Sequence, residues 1–129
     1  MKALIIDDNE QILDVLSFFF ESNNMEHVTV NNGKQGFKAI MESIRNPGDG
    51  FDLIFLDLAM PEMSGFQVID LLRRENALKE IKAIVLTALD LSEEEEKALI
   101  SSGVTAVLRK PIDLDDVESI LEKYSVDTN

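Results

Sequence analysis

Five polar side chains stand at the ends of short apolar runs. Asp7 and Asp8 follow Ala3-Leu4-Ile5-Ile6, Asp57 follows Leu53-Ile54-Phe55-Leu56, Thr87 follows Ala83-Ile84-Val85-Leu86, and Lys110 closes the run that begins at Val104. A buried strand has no use for a terminal aspartate, yet FLDLAMPEMSG (Phe55–Gly65) passes from Asp57 directly into a loop carrying Pro61 and Gly65. If the runs lie side by side, three carboxylates, one hydroxyl and one ammonium converge on one rim. Carboxylates that close repel, and without compensation one of them binds a proton or destabilises the domain. A divalent cation resolves the conflict. Magnesium takes oxygen ligands in an octahedron and keeps several waters, so one or two carboxylates plus a substrate phosphate suit it. Such a site implies Mg2+ and a phosphoryl group together. Asp57 has the chemistry of a nucleophile, since aspartate forms covalent phosphoryl intermediates. Thr87 can donate a hydrogen bond to the attached group, and Lys110 brings a compact positive charge to it. Phosphoryl transfer depends mostly on positioning and charge neutralisation, which these residues supply. Taken singly, each aspartate could as well cap a helix or sit in a turn. The joint placement carries the signal.

The elements that must position these groups follow from periodicity. Apolar runs at Ala3–Ile6, His27–Val30, Leu53–Leu56, Ala83–Leu86 and Val104–Leu108 predict five strands, and Met25–Val30 alternates in the manner of an edge strand. Helical spacing separates them. Ile12, Leu13, Val15, Leu16, Phe19 and Phe20 make a broad apolar face in the first helix; Phe37, Ile40, Met41 and Ile44 do so in the second. Val68, Ile69 and Leu72 mark the third, Ser92 and Glu95 give the fourth a capping box, and Leu114, Val117, Leu121 and Tyr124 form the fifth behind a cap at Asp113. Glu93–Glu96 reads as a solvated first turn, favourable against the helix dipole. Strands alternating with helices call for a parallel sheet with right-handed crossovers and helices on both faces, a doubly wound α/β domain. In such a sheet the functional crevice lies beyond the carboxyl ends of the strands.

Composition limits what else the chain can be. Its 129 residues make one domain, 1–129, with no room for a second. No apolar run approaches the roughly 18 residues of a membrane span. Lys2 followed by Ala3–Ile6 is too short for a signal-peptide core, so no membrane insertion is expected and the cytoplasm is the predicted location. With no cysteine, disulfides, thiolate metal sites and cysteine nucleophiles are excluded. A formal charge of −13 repels nucleic-acid phosphates, so no direct nucleic-acid partner is expected. His27, on the second strand, reads as an ordinary edge residue rather than a phosphodonor.

The motifs IIDDNE (Ile5–Glu10), FDLIFLDLAMPEMSGF (Phe51–Phe66), VLTA (Val85–Ala88) and LRKPID (Leu108–Asp113) together resemble the receiver domains of two-component response regulators, of the stand-alone, chemotaxis-regulator-like kind. The resemblance covers essentially the whole chain. It implies a flavodoxin-like five-stranded sheet in the order 2-1-3-4-5. It also implies Asp57 as phosphoacceptor, Asp8 as a direct Mg2+ ligand, Asp7 as a second acid acting mainly through water, and the backbone carbonyl of Ala59 as a further ligand. Lys110 would pair with the phosphoryl group, and the Lys110–Pro111 bond is expected to be cis. Gly65, with Met60 and Pro61, would turn the chain away from Asp57. Many relatives carry an aromatic three residues before the lysine, where this chain has Val107. The expected signal is therefore Thr87 drawn toward the phosphoryl, shifting the loop Ala88–Ser92 and the face formed by the fourth helix, fifth strand and fifth helix. Ala59 and Leu89 stand where side chains influence the hydrolytic water, and since neither can hydrogen-bond it, slow unaided dephosphorylation is expected.

The function this implies is a phosphorylation-activated switch in a phosphorelay, not an enzyme beyond promoting its own phosphorylation and dephosphorylation. Its partners would be a sensor histidine kinase or histidine phosphotransfer protein and a downstream protein target, and the resemblance allows a phosphorylation-dependent homodimer. With the chain ending at Asn129 soon after the fifth helix, no effector domain is expected. It reads as a stand-alone receiver or the receiver segment of a longer regulator. The main alternative is a receiver-like interaction module independent of phosphorylation. A haloacid-dehalogenase-type phosphatase needs a second aspartate two residues after the nucleophile, where Ala59 stands. A nucleotide or flavin binder needs glycines or hydroxyls after the first strand, where Asp7-Asp8-Asn9-Glu10 stands.

Overall fold

The computed structural model of the chain describes residues 1–46, 48 and 50–124. The elements run β1 (Lys2–Ile6), α1 (Glu10–Ser22), β2 (Glu26–Val30), α2 (Gly33–Arg45), β3 (Leu53–Asp57), α3 (Gly65–Arg74), a 3-10 turn (Ala77–Lys79), β4 (Lys82–Thr87), α4 (Glu93–Ser101), β5 (Ala106–Arg109) and α5 (Leu114–Tyr124). All strand pairs are parallel and the order is β2-β1-β3-β4-β5. The doubly wound flavodoxin-like fold expected from the sequence is thus present, with β2 on an edge.

Alternation along each strand builds two cores. Leu4, Ile6, Ile54, Leu56, Ala83 and Val85 face one side and pack with Ile40, Val68, Leu72 and Leu99 of α2, α3 and α4. Ala3, Ile5, Leu53, Phe55, Ile84 and Leu86 face the other, against Leu16 and Phe20 of α1 and Val117 and Ile120 of α5. The ring centroids of Phe20 and Phe55 lie 5.4 Å apart and pin α1 onto the central strand. Burial on both faces is what makes strands read as continuous apolar runs, and β3 is buried at every position. Among the described residues no helix is long and apolar enough to cross a membrane.

Two expectations need correction. Val15 does not join the buried face of α1: it is exposed, as is Phe18, while Leu16, Phe19 and Phe20 are buried. At about 100° per residue, Val15 falls to the side of the arc centred on Leu16 and Phe20. The fifth strand begins at Ala106 rather than Val104. The reason is the end of α4, where Gly103 at φ +115° donates its amide to Ile100 and Val104 donates to Leu99. These two bonds form a Schellman motif, with Val104 and Leu99 buried in the same core. Val104 is apolar because it closes the helix, and its amide is spent before the ladder starts. An alanine at 103 would have to hold that φ and bring its Cβ to 3.1 Å from Leu78 Cδ1. Gly103→Ala is expected to lower the unfolding free energy by about 1–3 kcal/mol, seen as a lower urea midpoint at unchanged m-value. An unchanged midpoint would contradict the strain.

Candidate functional site

Strand register brings the expected residues to one rim. Ile6 pairs with Leu56, so Asp7 and Asp57 follow on neighbouring strands; Thr87 pairs with Arg109, so Lys110 follows beside it. The Lys110 amide donates to the Thr87 carbonyl at 2.7 Å and ties the two strand ends together. Beyond them the Lys110–Pro111 bond is cis. Asp7 is fully buried, Asp57 is 2% exposed, and Asp8 is exposed. Each of the three offers a carboxylate oxygen within 4.8 Å of the others.

Local bonds hold these groups in place. The Asn9 amide donates to Asp7 Oδ1 at 2.9 Å, while Asn9 caps α1 through the amides of Gln11 and Ile12. The Ala59 amide donates to Asp57 Oδ1 at 3.2 Å. Lys110 Nζ lies 2.9 Å from Asp7 Oδ2 and 3.5 Å from Asp57 Oδ1. The 2.9 Å ion pair lacks hydrogen-bond geometry, so Asp7 Oδ2 is a buried oxygen with no hydrogen-bond partner. Gly65, expected as a turn residue, acts differently. The left-handed residue of the loop is Glu62 at φ 67°. Gly65 begins α3, its amide donating to the Leu58 carbonyl at 2.9 Å, and a Cβ there would lie 2.3 Å from the Asp57 carbonyl oxygen. It lets α3 start directly against the backbone that carries Asp57.

The electrostatics follow from burial and like charge. Desolvation, and then the negative charge of Asp7, push the Asp57 carboxyl up to about 6; Lys110 and the Ala59 amide oppose the shift, and a hydrogen bond with Asp8 adds to it. An all-oxygen cluster of three carboxylates, one buried oxygen of which has no hydrogen bond and only the Lys110 ammonium beside it, fits a hard divalent cation. Thr87 is fully buried, and its Oγ1 accepts the Leu89 amide at 2.8 Å. Val107 is half-buried opposite Val85, packed against the core. His27 lies on β2, its ring 6.0 Å from that of Phe20, away from the rim. One participant escaped the sequence reading. Arg109 reaches the carbonyls of Leu89 and Leu91 and the carboxylate of Glu96 at 3.4, 3.1 and 2.9 Å. Its partners lie 13 to 20 residues away in the chain, beyond the reach of any local pattern.

Because the folded carboxyl titrates near 6 against an ordinary 3.8, the folded state binds the extra proton between those values. The contribution of Asp57 to stability is therefore fully present below about pH 4 and is lost as pH rises through 6. Asp57→Asn, in chelator, is expected to be more stable than wild type at pH 7.5 by about 1–3 kcal/mol, the gap closing toward pH 4. Equal stability at pH 7.5, or a gap that widens on acidification, would contradict this origin of the shift.

Comparison with known proteins gives a consistent result. The "Response regulator receiver domain" family model matches residues 3–122. Hybrid signal transduction histidine kinase L of Dictyostelium discoideum is 30% identical over 99% of this chain, which spans only 7% of that protein's length. The receiver domain of the Francisella response regulator 1452 superposes with a TM-score of 0.84 at 26% identity, covering 99% of this chain and 98% of that one. A receiver domain of Saccharomyces cerevisiae Ssk1, co-crystallised with the histidine phosphotransfer signaling protein Ypd1, gives 0.84 at 21% identity over 100% and 94% of the two chains and shares the fold. With a match spanning nearly all of its length, the chain belongs to the family of response regulator receiver domains.

Proposed function

We propose that this chain is a phosphorylation-controlled switch in which Asp57 accepts a phosphoryl group from a histidine kinase or histidine phosphotransfer protein. The observation that carries this reading is the convergence of three carboxylates within 4.8 Å on a buried strand end faced by Lys110. In the transfer, an Asp57 carboxylate oxygen attacks phosphorus. An O–P bond forms as the donor's N–P bond breaks, and the released imidazole nitrogen keeps the electron pair. Bound Mg2+ would supply charge neutralisation between the carboxylates and the phosphoryl oxygens, held by Asp8, Asp57 and the Ala59 carbonyl, with Asp7 acting mainly through water. Lys110, already 3.5 Å from Asp57 Oδ1, is within reach of the new phosphoryl oxygens. The Thr87 hydroxyl, whose oxygen accepts the Leu89 amide, keeps its own O–H to donate to them.

The relatives support the choice of donor, since one is a histidine kinase and another receiver was crystallised with a phosphotransfer protein. In this reading residues 1–129 act as one cytoplasmic receiver domain whose altered α4–β5–α5 face docks a downstream protein or a second copy. Ala59 and Leu89, both exposed, give no hydrogen bond to a hydrolytic water, which supports a long-lived phosphoryl group.

Intact mass after incubation with acetyl phosphate and Mg2+ tests the reading. One added phosphoryl group is expected in the wild type and none in Asp57→Asn or in chelator, with loss on dilution faster in Ala59→Asn/Leu89→Glu. No adduct, where a known receiver becomes labelled, would leave a phosphorylation-independent interaction module.

A further inference from the structure

The loop between β4 and α4 is held from two directions at one residue, Leu89. The Leu89 amide donates to Thr87 Oγ1 at 2.8 Å. The Leu89 carbonyl accepts Arg109 Nη1 at 3.4 Å and the Leu91 amide at 3.1 Å. Arg109 Nη2 then binds the Leu91 carbonyl at 3.1 Å and Glu96 Oε1 at 2.9 Å, joining the loop to the first turn of α4. Arg109 is the ladder partner of Thr87 on β5. Alternation puts it on the same face as Val107, the side turned toward α4. A planar guanidinium suits this role because its fork spreads donors over two nitrogens that here reach two carbonyls and a carboxylate, whereas an ammonium's three donors share one nitrogen.

We propose that Arg109 is a positioning residue for phosphoryl transfer at Asp57, a clip that keeps the β4–α4 loop in the arrangement where Thr87's hydroxyl oxygen is occupied by the Leu89 amide. The proposal rests on the phosphoryl-switch reading given above. Rotation of Thr87 toward a group on Asp57 carries its oxygen away from the Leu89 amide unless the loop follows. The carbonyl of the same residue, in the next peptide group, is held by Arg109, so a loop that follows Thr87 must give up the clip. Contacts made in only one of two states bias the equilibrium toward that state. The clip therefore weights the resting state, and phosphorylation works against it. Val107 fills the neighbouring position on β5 without a ring to couple strand and loop, which leaves the coupling to Arg109. The side chains of Arg109 and Glu96 are 48% and 41% exposed, so removing the clip leaves the two cores untouched and stabilises the domain only modestly less.

The test is the initial rate of phosphorylation of the full chain by acetyl phosphate and Mg2+. Arg109→Met keeps the side-chain stem and loses every donor; its rate is expected to rise about three- to tenfold, the scale of losing a few partly exposed charge-assisted contacts. Arg109→Lys, whose three donors all sit on one nitrogen and cannot span the spaced acceptors as the fork does, should fall between. The gain must disappear in a Thr87→Ala background, a dependence that general loosening of the fold would not produce. Glu96→Gln provides a second variant at the exposed end of the clip, expected to raise the rate in the same direction by less. An unchanged rate in Arg109→Met with wild-type labelling, or a gain that survives Thr87→Ala, overturns the clip alone. Absence of labelling in wild type and all variants, where a known receiver is labelled, overturns the switch and the clip with it.

Discussion

One electrostatic conflict organises the molecule. Parallel register brings Asp7 and Asp57 to adjacent strand ends, both buried, with Asp8 close enough that all three offer oxygens within 4.8 Å. Lys110 is shared between two of them, nearer to Asp7 than to Asp57. Among the described residues this leaves one Asp7 oxygen buried without a hydrogen bond and the Asp57 carboxyl drawn toward protonation. Buried like charges are costly unless paired, so a resting state of this kind is tolerated because the strands are anchored elsewhere. It is also a set of oxygens whose chemistry suits a hard divalent cation.

The anchoring is visible in how completely the rest of the sheet is covered. Every position of β3 is buried, and each face is closed by helices that place Val68 and Leu72 on one side and Phe20 and Val117 on the other. Gly65 lets α3 begin in contact with the Asp57 backbone. Such packing leaves little freedom behind the carboxylates and confines movement to the loops in front of them. There the contacts are few, partly exposed and polar: Thr87 to Leu89, Arg109 to Leu89, Leu91 and Glu96. With a well-packed sheet behind it, a loop held by partly exposed polar contacts lies at the low-stability end of the fold, where local opening is confined.

Much of this was legible in the sequence because the signals are local. Apolar runs that end in Asp7, Asp57 and Thr87 announce both strand and rim, and the capping box at Ser92 and Glu95 is present as its spacing predicts. The misreadings have specific causes. Val104 is apolar for the sake of a helix end, not a strand. Val15 shares the composition of the buried face of α1 but not its direction. Gly65 looks like a turn residue and is instead a point of close backbone approach. Arg109 carries no local signal, since a basic residue before Lys110 and Pro111 acquires its meaning from a loop on the preceding strand and a glutamate on the helix beyond it.

The most direct test of the central claim is calorimetric titration of Mg2+ into the chain at pH 6 and pH 8, in buffers of different ionisation heat. If the Asp57 carboxyl is raised to about 6 because it is buried beside Asp7, Mg2+ binding should release protons at pH 6 and almost none at pH 8. Asp57→Asn should abolish the release. Binding with no proton release at pH 6, or with the same release in Asp57→Asn, would contradict the account of the rim as a cation site created by its own repulsion.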